Sequence, residues 1–409
     1  MKALYQHIAD NPLVYINLDV ERAAQLDLGA PGYYIIANNT EYARQLAEGR
    51  TNIVLVDEGR ILSSRELLEH PRTEAFLAMV QTQHEKAPGI VVFKNIPQIE
   101  AYCTQKGWHL LNPESALIAR VEEKISQIEW LGELARFLPP HTVSTVKEIV
   151  WPGKPFILQF NASHTGNDTF LIESETGLTE LSAKFPERVA RTFSYITGST
   201  ITSNNVVTPR GTLVGSVSYQ ITGLAPFTDR PFATVGNDWK LASKLLSVKN
   251  AEQFTTMVKE IGDKLHADGY LGAFGIDVVL DSQSQKLYLI EINARQPASV
   301  PTESFLQSKQ DPAGTTIFEA HLAALCGLPI DVPVTHIEDG AQIISRVTET
   351  VNSVTPQAMD ALTKIDGLTL IPSPGTTPGG EILRIRSEHG LMKAHGELNE
   401  LGTRIQAIL

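Results

Sequence analysis

The sequence predicts a mixed α/β and α+β protein: a doubly wound α/β domain over residues 1–115, a larger sheet-rich body over 116–330, and a small β-rich extension over 331–409. Three features point there. Short runs that are apolar at every position alternate with helical stretches in the first 115 residues, as parallel strands covered on both faces do. Between Phe156 and Tyr219 strand-like segments follow one another closely. Strands return beyond residue 340, after helical stretches on either side of an apolar hairpin. A chain of 409 residues has room for about two to four domains with their own cores.

In chain order, Tyr33–Ala37, Asn52–Val56 and Gly89–Phe93 read as buried parallel strands, with helices over Glu41–Gly49 and Thr73–Glu85 between them. Pro97–Gly107 is a helix opened by proline and closed by glycine. The pattern is doubly wound but lacks a GxGxxG turn, so it carries no dinucleotide site. Residues 116–150 read as a helix ending at Leu138-Pro139-Pro140. Strands are expected at Phe156–Phe160, Thr169–Ile172, Val189–Ile196, Ser199–Val207 and Thr212–Tyr219. A helix over Ala251–Ala267 leads into the hairpin, and an amphipathic helix, Thr315–Gly327, follows it. Gln342–Val347 and Glu381–Ser387 are strands, the Pro- and Gly-rich stretch 371–380 is a surface loop, and the chain closes on a helical tail.

Composition narrows the function. Hydrophobic residues make up 42% and charged residues 20%, values of a soluble globular protein. Acidic residues outnumber basic ones, 46 to 34, a formal charge of −12, which argues against nucleic acid or an anionic membrane as partner. No apolar run is long enough for a bilayer, and the first residues carry no signal-peptide core. Two cysteines, Cys103 and Cys326, supply neither a disulfide framework nor a thiolate zinc site, so a cytoplasmic setting is expected.

The chemistry concentrates in the hairpin Gly275–Leu280 and Leu287–Arg295. If Asp281 faces Leu287 across a loop of about five residues, Asp277 lies opposite Glu291, with Asn293 on the same face. Opposed carboxylates roughly 5 Å apart repel by about 3–4 kcal/mol at an effective dielectric near 20. A divalent cation held by Asp277, Glu291 and the Asn293 amide oxygen removes that penalty, and so few hard oxygen ligands suit Mg²⁺. The alternative is a slip of one residue, which makes the two acids ordinary solvated charges on opposite faces. Spacing alone leaves both open.

A polar loop, Asn161–Asp168, joins two strands; Ser163, His164, Thr165 and Gly166 in it offer hydroxyls, an imidazole and backbone N–H groups to phosphate oxygens, or form a plain solvent loop. Lys124 sits on the expected helix Val121–Trp130, and alone reads as a solvated lysine. His321 and Cys326 read as packing residues. No nucleophile elbow and no HExxH is present.

Together these pieces resemble the ATP-grasp superfamily, whose members include biotin carboxylase, D-alanine–D-alanine ligase and amino-acid ligases. The match is most specific at Tyr270–Asp277 followed by Leu289–Arg295, similar to the family's acidic strand and its E-x-N-x-R strand. The resemblance implies that Asp277, Glu291 and Asn293 bind Mg²⁺ (or Mn²⁺ in its place) on the ATP phosphates, and that Arg295, with Asn293, serves catalysis by contacting substrate or acyl phosphate. It implies that Lys124 contacts nucleotide phosphate, that Ser163, His164, Thr165 and Gly166 cover it, and that the backbone of Phe193, Ser194 and Ile196 reads the adenine edge. Residues 116–330 are then the ATP-grasp domain, 116–200 containing its small nucleotide lid, with 1–115 the preceding domain and 331–409 the C-terminal extension.

Two departures stand out. The strand before the glycine loop usually carries a second phosphate-binding lysine, and Gln159 occupies that position; the hinge shows Phe193-Ser194 in place of the common acid. Compensation is expected from Lys154 or Arg295. The implied activity is an ATP-dependent carboxylate–amine ligase that forms an acyl phosphate, then an amide or peptide bond, releasing ADP and phosphate. Its partners are small-molecule carboxylates and amines, with a homodimer expected because members of the family are often dimers. Alternatives are a biotin-carboxylase-like carboxylase, for which no biotinyl segment is visible, and a non-catalytic ATP-binding protein, suggested by Gln159.

Overall fold

Strands β1 (Leu13–Ile16), β2 (Tyr33–Asn38), β3 (Ile53–Val56), β4 (Gly89–Val91) and β5 (His109–Leu110) form a wholly parallel sheet in the order β3-β2-β1-β4-β5. The computed structural model describes residues 1–161, 169–330 and 332–409. Every residue of β1 and β2 is buried, which is why they read as unbroken apolar runs. The central strand β1 escaped the sequence reading because Leu-Val-Tyr-Ile is only four residues long and directly follows a helix, Lys2–Asp10. Helix ends follow local chemistry: Thr40 caps Glu41–Ala47 by accepting from the Ala43 N–H, and Gly107 closes Pro97–Lys106 at φ +67°.

The expected long helix after residue 116 is broken. Ser115–Glu122 ends where Glu123 turns extended, and Ser126–Leu131 restarts the helix after Lys124 and Ile125. Asn161 holds the break open: its carbonyl accepts from the Lys124 N–H and its side chain from the Ile125 N–H, both at 2.9 Å. Lys124 is thus on a kink, its side chain 3% exposed, and not on an outer helical face.

A four-stranded antiparallel sheet follows, β6 (His141–Thr145), β7 (Phe156–Phe160), β8 (Thr169–Ile172) and β9 (Val189–Ser194), ordered β6-β9-β7-β8. Leu158, Phe160, Ile172 and Ala190 pack beneath the helix Glu175–Lys184 through Leu178. The opposite face carries Ile157, Gln159, Arg191 and Phe193, because strand side chains alternate.

Apart from a small hairpin of Met392–Ala394 and Glu397–Leu398, the remaining strands build one antiparallel sheet from β10 (Gly198–Thr208), β11 (Gly211–Leu213), β12 (Val217–Thr222), β13 (Thr234–Asp238), β14 (Gly272–Asp281), β15 (Leu287–Asn293), β16 (Ala341–Arg346), β17 (Leu368–Pro372) and β18 (Glu381–Ser387). Its order is β15-β14-β10-β12-β13-β16-β18-β17, with β11 paired to β10. The single strand expected over Thr212–Tyr219 is two, interrupted at Val214–Ser216. Phe254, Met257, Ile261 and Leu265 of the helix Val248–Ala267 pack into the core of this sheet. The helix Ile317–Leu325, expected to be amphipathic, is buried at every residue: it is packed against β10 and β14, and Ile317, Phe318 and Leu322 share a core with Leu4, Ile8 and Tyr15 of the first domain. In the neighbouring helix Val300–Gln310, the fully buried Glu303 accepts from Asn204 Nδ2 at 2.6 Å and the Ser216 N–H at 3.0 Å.

Ionic contacts tie the first and last segments together. Glu21, just beyond β1, takes Arg384 Nη1 at 2.6 Å and also pairs with Arg386, both on β18. Arg384 is shared with Glu381 at 3.0 Å. No helix among the described residues is long and apolar enough to cross a membrane, and both cysteines are free thiols.

Candidate active site

Strands β14 and β15 place Asp277 directly opposite Glu291, with Gly275 opposite Asn293. The pairing is as the sequence predicts, but the ladder behind it is not. The turn pairs Leu280 with Leu287, one residue off the expected register, and a bulge next to Asp277 shifts the count back. Burial shows the device: Leu287 and Leu289 face the core, then Ile292 and Ala294 do, and the two consecutive residues Ile290 and Glu291 turn outward. Without the bulge Glu291 would point into the core.

Asp277 accepts from Asn293 Nδ2 at 3.2 Å and from the Thr202 hydroxyl on β10. Burial, then the facing Glu291 charge, push its carboxyl up to about 6. Burial acts to raise Glu291 too, but Lys124, Arg295 and Arg191 outweigh it and hold that carboxyl below its usual range. Lys124 Nζ lies 2.9 Å from Glu291 Oε1 and has no further hydrogen-bond acceptor among the described residues. Arg295 is half-buried and pairs with Glu122, whose second oxygen takes Lys94 Nζ at 2.6 Å. Two cations therefore share one carboxylate, leaving a surplus positive charge beside the acidic pair.

The donor set fits Mg²⁺: two carboxylates and an amide, with water and phosphate to complete the shell. Among the described residues no group of three His, Cys, Asp or Glu is placed to hold a metal by itself. His321 serves packing, its Nδ1 accepting from the Ala273 N–H at 2.9 Å, and burial drives its pKa down to about 3.

Gln159, 4% exposed, faces this centre from the small sheet. Neither residue expected to compensate lies across from Gln159: Lys154 is exposed at the surface, and Arg295 pairs through Nη1 with Glu122. Arg191 lies directly across from Gln159 on β9. Its Nε and Nη2 reach Gln159 Oε1 at 3.2 and 2.7 Å, and Nη2 reaches the carbonyl of the bulge residue Ile290 at 3.3 Å. Sequence reasoning missed Arg191, although the strand alternation that placed Gln159 would place 191 on the same face. Phe193 is buried, Ser194 exposed and Ile196 half-buried just past the end of β9. Ser163, His164, Thr165 and Gly166 lie outside the described residues.

No family model and no curated relative matches this sequence. Solved structures do. The chain is similar to N5-carboxyaminoimidazole synthase of Aspergillus clavatus, in complex with ADP and 5-aminoimidazole ribonucleotide, with TM-score 0.64, 14% identity and 98% of both chains covered. It is similar to N5-carboxyaminoimidazole synthetase of Staphylococcus aureus, with TM-score 0.65, 11% identity and 97% of both chains covered. It is also similar to the biotin carboxylase domain of Hydrogenobacter thermophilus 2-oxoglutarate carboxylase, a dimer holding MgADP, ADP and bicarbonate, with TM-score 0.62, 13% identity, and 92% of this chain and 86% of that one covered. From its first strand to its last segment, the chain has the fold of the ATP-grasp enzymes.

Proposed function

We propose that the protein is an ATP- and Mg²⁺-dependent carboxylate–amine ligase that activates a carboxylate as an acyl phosphate and releases ADP. The observation that carries this reading is the convergence of Asp277, Glu291 and Asn293 on one face, with the buried Lys124 ammonium against Glu291. ATP-bound and ADP-bound proteins of the same fold support the nucleotide as ligand. Asp277, Glu291 and the Asn293 oxygen would hold Mg²⁺, which when bound neutralises charge on the transferred phosphoryl group.

The chain's own groups do the rest. Lys124, with donors to spare, orients a phosphate oxygen. Arg295, held by Glu122 through Nη1, uses its other guanidinium N–H groups on the substrate carboxylate or its acyl phosphate. The backbone of Phe193, Ser194 and Ile196 at the end of β9 is assigned to the adenine edge, and Ser163, His164, Thr165 and Gly166 to the phosphates.

Incubation with ATP, Mg²⁺ and a panel of carboxylates and amines tests this. Amine-dependent ADP release is expected. A second reading, carboxylation, is favoured by the likeness to a domain that holds bicarbonate; ADP release that needs bicarbonate and no amine would select it. Nucleotide binding without turnover under any condition would leave a sensor.

A further inference from the structure

Arg191 is a charge in an unusual setting. Its side chain is 1% exposed, yet among the described residues no carboxylate pairs with it. Three neutral oxygens from three elements surround it: Gln159 Oε1, the Ile290 carbonyl, and Gln127 Oε1 at 3.4 Å. Burial holds its pKa down to about 10, with only the more distant Glu291 opposing. A buried cation without a counter-charge is costly, and an arriving anion relieves the cost.

The guanidinium also fixes which end of the Gln159 amide faces where. Because both Nε and Nη2 of Arg191 take Oε1, the amide nitrogen must point away from the arginine. One of its hydrogens reaches Thr169 Oγ1 at 3.3 Å; the other has no partner among the described residues. A glutamine so held is a donor by enforcement, its dipole aligned by the charge behind it.

We propose that Gln159 and Arg191 act as one anion-binding unit for the nucleotide phosphates, the amide nitrogen of Gln159 donating the hydrogen bond and Arg191 supplying charge and orientation. The unit replaces a single phosphate-binding lysine with two residues on neighbouring strands. The assignment rests on the nucleotide reading above, and its test separates the two.

Full-length protein is titrated calorimetrically with MgADP and, separately, with adenosine, which lacks phosphate. Arg191→Met is expected to weaken MgADP roughly ten- to hundred-fold, the range for a lost hydrogen bond to a charged group, and to leave adenosine unchanged. Gln159→Lys combined with Arg191→Met returns the charge to β7 and recovers most of the affinity. Gln159→Glu gives the guanidinium a carboxylate, so the fold keeps its melting temperature while MgADP binding falls as in Arg191→Met. That variant decides the matter if Arg191→Met fails to fold. Wild-type MgADP affinity in folded Arg191→Met or Gln159→Glu overturns the unit, as does a folded double variant without recovery, or equal losses for adenosine and MgADP. Wild-type protein that binds neither MgADP nor ATP overturns the nucleotide reading, and the unit with it.

Discussion

Replacing Asp277 by Asn should make the ligand-free protein more stable and the enzyme inactive. Burial and the Glu291 charge raise the Asp277 carboxyl from 3.8 to about 6. That rise corresponds to roughly 3 kcal/mol of penalty on the ionised form, since each pH unit is about 1.4 kcal/mol. Asp277 is only half-buried, and the substitution disturbs its bond from Asn293, so a net gain of roughly 1–2 kcal/mol is the realistic figure. The sign follows from proton linkage. A carboxyl with a raised folded pKa favours the native state fully below the unfolded value of 3.8, and that contribution is gone once pH passes about 6. Asp277→Asn removes the dependence. Its melting temperature should match the wild type near pH 4 and exceed it by a few degrees at pH 7–8. Added MgADP should raise the wild-type melting point and leave the variant's almost unmoved. Differential scanning calorimetry from pH 4 to 8, with and without MgADP, reads both. A variant less stable at pH 8, or a gap that does not change with pH, would refute the electrostatic account of this pair.

Glu291→Gln should abolish ADP formation, measured by coupled assay, and lower the melting temperature because the buried Lys124 loses the carboxylate it pairs with among the described residues. Burial raises Glu303 to about 8, above any backbone or Asn204 compensation, so its contribution to stability is lost as pH rises through 8; Glu303→Gln should flatten the alkaline limb of the melting curve. Arg384→Met leaves Glu21 and Glu381 facing each other without that cation and should cost about 3–5 kcal/mol in denaturant titration, with activity per folded molecule altered little.

The parallel strands β2, β3 and β4 and the acidic hairpin were legible because burial on both faces and two-residue alternation leave direct marks on a sequence. The Asp277–Glu291 pairing came out right from a ladder that was wrong in two places. The turn is offset by one residue, and the bulge at Ile290 restores the count. A signal for it was present, since Leu287 and Leu289 are apolar at odd positions and Ile292 and Ala294 at even ones. The break at Lys124 left no such mark, because Asn161, nearly forty residues later, imposes it through tertiary hydrogen bonds. Arg191 left no mark either, because a guanidinium screened by amide oxygens from distant segments does not announce itself by composition.

The hydrogen bonding of β16 to β13 has an evolutionary and practical consequence. Severing the chain anywhere between Leu328 and Gln342 would uncover raw backbone on both fragments, each a template for the other or for aggregation. The last fifth of this polypeptide therefore behaves less like an interchangeable cassette than like the closing staves of a shared wall. Fragments made separately should find one another and reassemble, or precipitate alone.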